Sequence, residues 1–119
     1  MTELDEILEF LVEQVDGALA AAVAGMDGLL VEQYPQHANL GPFAAELTAV
    51  LGSSSAAMSD HLGAGETREL MVAAESRLAY IRVLSADLFC LIVLGADGNL
   101  GKARLYGEQA AKRLVAVLA

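Results

Sequence analysis

The segment Gly95–Lys102, with the sequence GADGNLGK, contains the residue types of a phosphate-binding loop. Backbone amides of glycines can hold a phosphate and a lysine can neutralise it, provided that the spacing is G-x-x-x-x-G-K followed by Ser or Thr. Here the outer glycines are one residue too far apart, Ala103 replaces the magnesium-binding hydroxyl, and Asp97 would repel a phosphate. The Rossmann pattern is also absent. We therefore interpret the segment as a turn between a strand and a helix.

The other reactive side chains form no recognisable catalytic or metal-binding pattern. His37 and His61 have no partners at metal-ligand spacing, and Asp60 next to His61 is interpreted as a contact with a helix C-terminus. The serines at 53–55 lie within a predicted helix without a nucleophile elbow, so small side chains on a close-packed or partner-facing surface are the favoured interpretation. We expect no catalytic residue, no metal and no cofactor, and hence no enzyme.

Hydrophobic periodicity predicts the element order α-β-β-α-β-β-β-α. Apolar residues at helical spacing, preceded by a Thr2–Asp5 capping arrangement, predict a first helix over residues 3–15. The turn residues Gly25–Gly28 then predict a hairpin between strands at 18–24 and 29–34.

The second half of the chain predicts three strands and a closing helix. The apolar runs Thr67–Ala74, Leu78–Leu84 and Leu88–Leu94 are joined by short turns, which force antiparallel pairing. The third of these runs is apolar on both faces, which predicts a central strand covered by helices on both sides. A helix follows from Leu100 to Val117. The predicted fold is a three-layer α/β/α domain with one antiparallel sheet, and the whole chain, residues 1–119, is expected to be a single domain.

Two features predict assembly with another chain. The strand at 67–74 should be an edge strand, yet it lacks the Pro or Lys that protects most edges. The middle helix, entered at Asn39–Pro42 and ended at Gly63–Gly65, is apolar around too much of its circumference for burial on one side. One face of this helix is predicted to carry Phe43, Leu47, Val50, Leu51, Ser54, Met58 and Leu62.

Composition excludes several classes of partner. The chain has 119 residues, a formal net charge of −9 and 5% aromatic residues, so neither nucleic acid nor an anionic membrane is expected to bind. Cys90 is the sole cysteine, which fits a reducing cytoplasm. The first Lys or Arg is Arg68, and this asymmetry leaves three interpretations open: pairing of the terminal segments, an acidic docking face, or solvated helix faces.

The order of elements, the hairpin sequence MDGLLV at 26–31 and the sequence DGNLG at 97–101 before the final helix resemble the roadblock/dynein-light-chain family. The resemblance implies a roadblock/profilin-like five-stranded antiparallel sheet in the order 2-1-5-4-3, with the first and last helices on one face and the middle helix on the other. It also implies a homodimer in which third strands join into one sheet and middle helices pack side by side. The implied interface lies at Leu47, Leu51, Ser54 and Met58 in the middle helix and along Glu69–Ala73 in the third strand, where Glu69, Met71 and Ala73 are the residues singled out.

The same resemblance implies a non-catalytic regulator or scaffold that binds a small Ras-like GTPase in the cytoplasm. The short chain is similar to the prokaryotic kind, which is understood to reposition the catalytic residues of the GTPase without lending an arginine. The middle helix contains no Arg, in agreement with that mode. A passive scaffold dimer without effect on hydrolysis and a small-molecule sensor domain are the alternatives.

Overall fold

The computed structural model describes residues 2–118 and confirms the predicted order of elements. The helices and strands are α1 Glu3–Gln14, β1 Ala18–Gly25, β2 Leu30–Tyr34, α2 Gly41–Leu62, β3 Glu69–Ala73, β4 Arg77–Val83, β5 Leu88–Gly95 and α3 Leu100–Leu118. β3 begins two residues later than the sequence predicts. The reason is that Thr67 is held by α2: its amide donates to Ser55 Oγ at 2.9 Å, and its hydroxyl lies 2.6 Å from Ser54 Oγ.

All five strands form one antiparallel sheet in the order β2-β1-β5-β4-β3. The central position of β5 confirms the prediction from its apolar sequence, since the side chains of Leu91 and Ile92 point to opposite faces and both are fully buried. One core lies between the sheet and α1 with α3, and it contains Ile7, Leu11, Tyr80, Ile92 and Leu114 among others. The second core lies between the sheet and α2.

Backbone contacts at the ends of α1 and α3 fasten the two helices to each other. Thr2 and Asp5 form the predicted capping box at the start of α1. Beyond α1, the Asn99 amide donates to the Asp16 carbonyl at 2.9 Å, while Asn99 Oδ1 accepts from the Lys102 amide at 3.0 Å and caps α3. Lys102 Nζ lies 3.0 Å from Asp16 Oδ2. The Gly-rich segment is thus a strand-to-helix turn, and one ion pair joins the two terminal segments within residues 2–118.

Only the first half of α2 is buried against the sheet. Ala44, Leu47 and Leu51 enter the second core and meet alanines of β1, whose small side chains allow the helix to approach closely. The predicted apolar face is therefore buried only in part. Phe43, Val50, Met58 and Leu62 remain 38–70% exposed, since the helix is about 33 Å long and its C-terminal half carries no buried residue.

No helix within residues 2–118 is both long and apolar enough to span a bilayer.

Gly107 of α3 allows the buried Tyr80 ring to lie against the helix backbone. A Cβ at this position would be 2.9 Å from Tyr80 Cε2, whereas a Cβ at Gly52 of α2 would meet no heavy atom within 4 Å. Replacing either glycine by alanine favours a helix by about 1 kcal/mol. We expect Gly52→Ala to stabilise the fold. The free energy of unfolding of Gly107→Ala should lie about 1–3 kcal/mol below that of Gly52→Ala, because the added methyl group overpacks the core. Urea denaturation of the two variants measures this difference, and equal stabilities would contradict the close contact.

Candidate interface at the open sheet edge

The hydrogen-bond pattern of β3 shows which backbone groups face the free edge of the sheet. The amide of Val83 donates to the Arg68 carbonyl, and the amide of Ala74 donates to the Arg77 carbonyl. Bonded and non-bonded pairs alternate along an antiparallel ladder, so the even-numbered residues of β3 bond to β4. The N–H and C=O groups of the odd-numbered residues therefore point away from the sheet. These residues are Glu69, Met71 and Ala73.

The opposite edge of the sheet, at β2, is partly covered by groups of its own chain. The Gln33 amide donates to Glu32 Oε1 at 3.0 Å, and Gln36 Nε2 donates to the same oxygen at 3.2 Å. Pro35 follows the strand and has no N–H to offer. The two edges thus differ, since the outward amides of β3 have no side-chain acceptor within the described residues.

Apolar side chains flank the open edge on both faces of the sheet. Met71 pairs with Tyr80 and so lies on the α3 side, where it is 46% exposed. Val72 lies on the α2 side and is 42% exposed. Beside Val72 is a groove of about 290 Å³, whose other walls include Phe43, Leu40 and Leu78. An open strand edge bordered by apolar surface is suited to pairing with another strand.

Glu69 holds the open strand to the rest of the molecule. Its carboxylate accepts hydrogen bonds from Tyr80 OH at 2.7 Å, Arg82 Nη1 at 2.9 Å and Arg104 Nη2 at 3.0 Å. The Tyr80 hydrogen bond is the largest cause of a lowered pKa at Glu69, and the two arginines lower that pKa further. Burial raises the pKa of Tyr80 to about 12, so its phenol stays protonated and donates. The acid is thus neutralised within its own chain rather than presented at the edge.

The seven interface residues inferred from the sequence occupy three different environments. Glu69, Met71 and Ala73 share the outward backbone positions of β3. Met58 is 40% exposed on the C-terminal half of α2, which has no buried residue and is called the overhanging half below. Leu47 and Leu51 are each 3% exposed in the second core, and Ser54 is held by Thr67, so these three side chains serve the fold of the chain itself.

Val72 and Phe43 both border the groove beside the edge. Sequence reasoning included Val72 only as part of the range Glu69–Ala73, and it did not place Phe43 at the interface. The available signal was the alternation within β3, which assigns Leu70 and Val72 to one face and Met71 to the other. The position of Phe43 depends on how far α2 extends across the sheet, which periodicity does not determine.

The fold and its edges define a three-layer α/β/α domain with one partly covered and one open sheet edge. The model of the Roadblock/LC7 domain family matches residues 4–95. The chain belongs to this family.

Solved structures of bacterial proteins are similar to nearly the whole chain. MglC from Myxococcus xanthus is 30% identical, with a TM-score of 0.70 over 97% of this chain and 98% of the other. A Roadblock/LC7 domain from Streptomyces avermitilis is 17% identical, with a TM-score of 0.89 over 98% of both chains. The gliding protein MglB from Thermus thermophilus is 20% identical, with a TM-score of 0.81 over 94% of this chain and 85% of the other. No curated protein has a significantly similar sequence.

The Glu69 contacts predict a specific pH dependence of stability. Because the pKa of folded Glu69 lies below its ordinary value of 4.5, the charged carboxylate stabilises the fold above that pH. Glu69→Gln should lower the free energy of unfolding by about 1–3 kcal/mol at pH 7. The difference from wild type should shrink as the pH falls below 4.5 through the lowered pKa, because the wild-type carboxylate then becomes protonated.

Urea denaturation between pH 7 and pH 3 measures this difference, with Glu75→Gln as the control. Glu75 is an exposed acid in the β3–β4 turn, and its side chain makes no ion pair within residues 2–118. A difference that stays constant with pH would contradict the proposed role of the Glu69 charge.

Proposed function

We propose that this chain forms a homodimer through β3 and the exposed part of α2, and that the dimer is a regulatory scaffold for a small Ras-like GTPase. The observation that carries the proposal is the pattern of outward backbone groups at Glu69, Met71 and Ala73. The single domain is proposed to extend over residues 1–119, because α3 contributes to the first core although the whole helix follows the matched range 4–95.

The geometry of β3 suits antiparallel pairing with a second copy of itself. A two-fold axis at Met71 places Met71 opposite its equivalent and Glu69 opposite Ala73 of the partner. Each of these pairs can exchange two hydrogen bonds, because all three residues direct their N–H and C=O groups outward. The register also separates the two Glu69 side chains, which avoids repulsion between like charges at the centre of the interface.

Pairing at β3 would also cover exposed apolar surface on the α2 side of the sheet. Val72 would face Leu70 of the partner across the joined strands, and the groove lined by Phe43 would lie beside the incoming α2. The overhanging half of α2, with Met58 and Leu62, would then have a neighbour to pack against. Burial of these side chains is favourable by about 25 cal/mol per Å² of apolar surface.

A GTPase partner is proposed from family membership and from the chemistry of α2. The similar structures include MglC and the gliding protein MglB, and the resemblance implies regulators of motility-type GTPases. In a dimer, both α2 helices would line one face of the joined sheet, and neither contains an arginine to insert into a GTPase active site. The dimer would therefore act by positioning residues that the GTPase itself supplies. Such a partner implies a cytoplasmic location.

Replacing Met71 by lysine should convert the dimer into a monomer. The substitution places a charge at the centre of the proposed strand pair, opposite an identical charge on the partner. Light scattering measures the mass in solution. The matched control is Val31→Lys, at a residue of the β2 edge with the same 46% exposure. We expect dimers for wild type and Val31→Lys and a monomer for Met71→Lys, and a wild-type monomer would overturn the proposal.

Regulation and passive scaffolding differ in their effect on GTP hydrolysis. Purified Ras-like GTPases of the same organism are first screened for binding, and the turnover of a binding GTPase is then measured with increasing amounts of the dimer. A regulator should raise the turnover in proportion to complex formed, and Met71→Lys should remove the effect. Binding with an unchanged hydrolysis rate would instead identify a passive scaffold.

A further inference from the structure

A second apolar surface lies where the β1–β2 turn, the β4–β5 turn and the last turns of α3 come together. Three of its residues are markedly exposed: Leu29 at 68%, Val31 at 46% and Val115 at 44%. The surface contains two depressions of about 460 and 200 Å³, which share Leu88 and therefore adjoin. We call this the hairpin-end surface, and it consists of Leu29, Val31, Leu84, Leu88, Val115 and Leu118.

The rim of the hairpin-end surface is negatively charged. Asp27 and Asp87 line the larger depression, and both are exposed. One oxygen of Asp27 accepts from the Leu29 amide, while the Asp87 carboxylate makes no hydrogen bond within residues 2–118. The last turn of α3 borders the smaller depression and carries no basic residue, while Lys112 and Arg113 lie one turn earlier on the helix.

This combination of charge and shape favours one kind of occupant. A second copy related by a two-fold axis would bring Asp27 and Asp87 of both chains together, and an anionic membrane would be repelled. A cationic amphipathic helix suits both features, because apolar side chains one turn apart can enter adjoining depressions while lysines or arginines lie at the rim. We propose that the hairpin-end surface binds a cationic amphipathic helix of a partner protein.

The hairpin-end surface contains no residue of β3 or α2. The proposed homodimer would therefore leave this surface open on both protomers, so that one dimer could hold two such helices. For the same reason, the proposal does not depend on the homodimer or on the GTPase, and its test is separable from theirs.

The test uses a fluorescein-labelled 18-residue peptide of leucine and lysine, with leucines at helical i, i+3, i+4 and i+7 spacing. Binding is measured by fluorescence anisotropy at about 0.15 M salt, because long-range electrostatic attraction is largely screened at that concentration. Leu29→Lys should weaken binding by about tenfold or more, because an apolar contact is lost and a positive charge meets the peptide. The matched control is Leu105→Lys, in which a 52% exposed leucine elsewhere on α3 receives the same charge.

The outcomes separate this proposal from general attraction to an acidic protein and from the homodimer proposal. Retained affinity in Leu105→Lys and in Met71→Lys, with loss in Leu29→Lys, would support a distinct site. Equal weakening in Leu29→Lys and Leu105→Lys would overturn the proposal, since net charge alone would then explain binding. Tight binding of the matching leucine–glutamate peptide would also overturn it. A lower solution mass of Leu29→Lys with unchanged peptide binding would identify self-association instead.

Discussion

The burial of β5 on both faces is the constraint on which the rest of this structure depends. An apolar strand at the centre of a sheet requires helices above and below it, and here the two faces of the sheet are covered to different extents. α1 and α3 together cover one face of the sheet, while α2 covers the other face within the described residues. A single helix cannot cover five strands, which together are about 24 Å wide. The α2 face therefore keeps apolar surface beside β3, and a second chain is the simplest means of covering it.

The two sheet edges show that the exposure of β3 is not a general property of edges in this molecule. β2 is followed by a proline, and its outward Gln33 amide is bonded to a neighbouring carboxylate. β3 has no such cover, and the one acid on this strand is turned inward to Tyr80 and two arginines. Charged side chains usually protect an edge from pairing. Here the Glu69 charge is used within its own chain, so it does not protect the outward backbone groups of β3.

The sequence predicted the fold well, because short turns and apolar periodicity determine the order and pairing of the strands. The two-sided apolar pattern at 88–94 correctly predicted a central strand, and the Thr2–Asp5 spacing correctly predicted the cap of α1. The candidate interface was predicted less completely. Periodicity grouped Leu47 and Met58 on one face of α2, but the sheet ends beneath the helix, so Leu47 is buried and Met58 is exposed. The residue at which a helix extends beyond its sheet depends on tertiary packing, which local hydrophobic periodicity does not determine.

The contact between Arg104 and Glu69 connects α3 to the open edge strand β3. α3 packs mainly against α1, β4 and β5, so this ion pair is its main tie to the open strand. Arg104 is 56% exposed, and an exposed pair alone contributes little to stability. Its importance lies in the shared carboxylate, because the other oxygen of the same Glu69 side chain accepts from the buried Tyr80 and from Arg82, and hydrogen bonds in such networks strengthen one another. A shift of α3 would thereby alter the strand on which dimer formation is proposed to depend, although α3 itself does not reach the pairing edge.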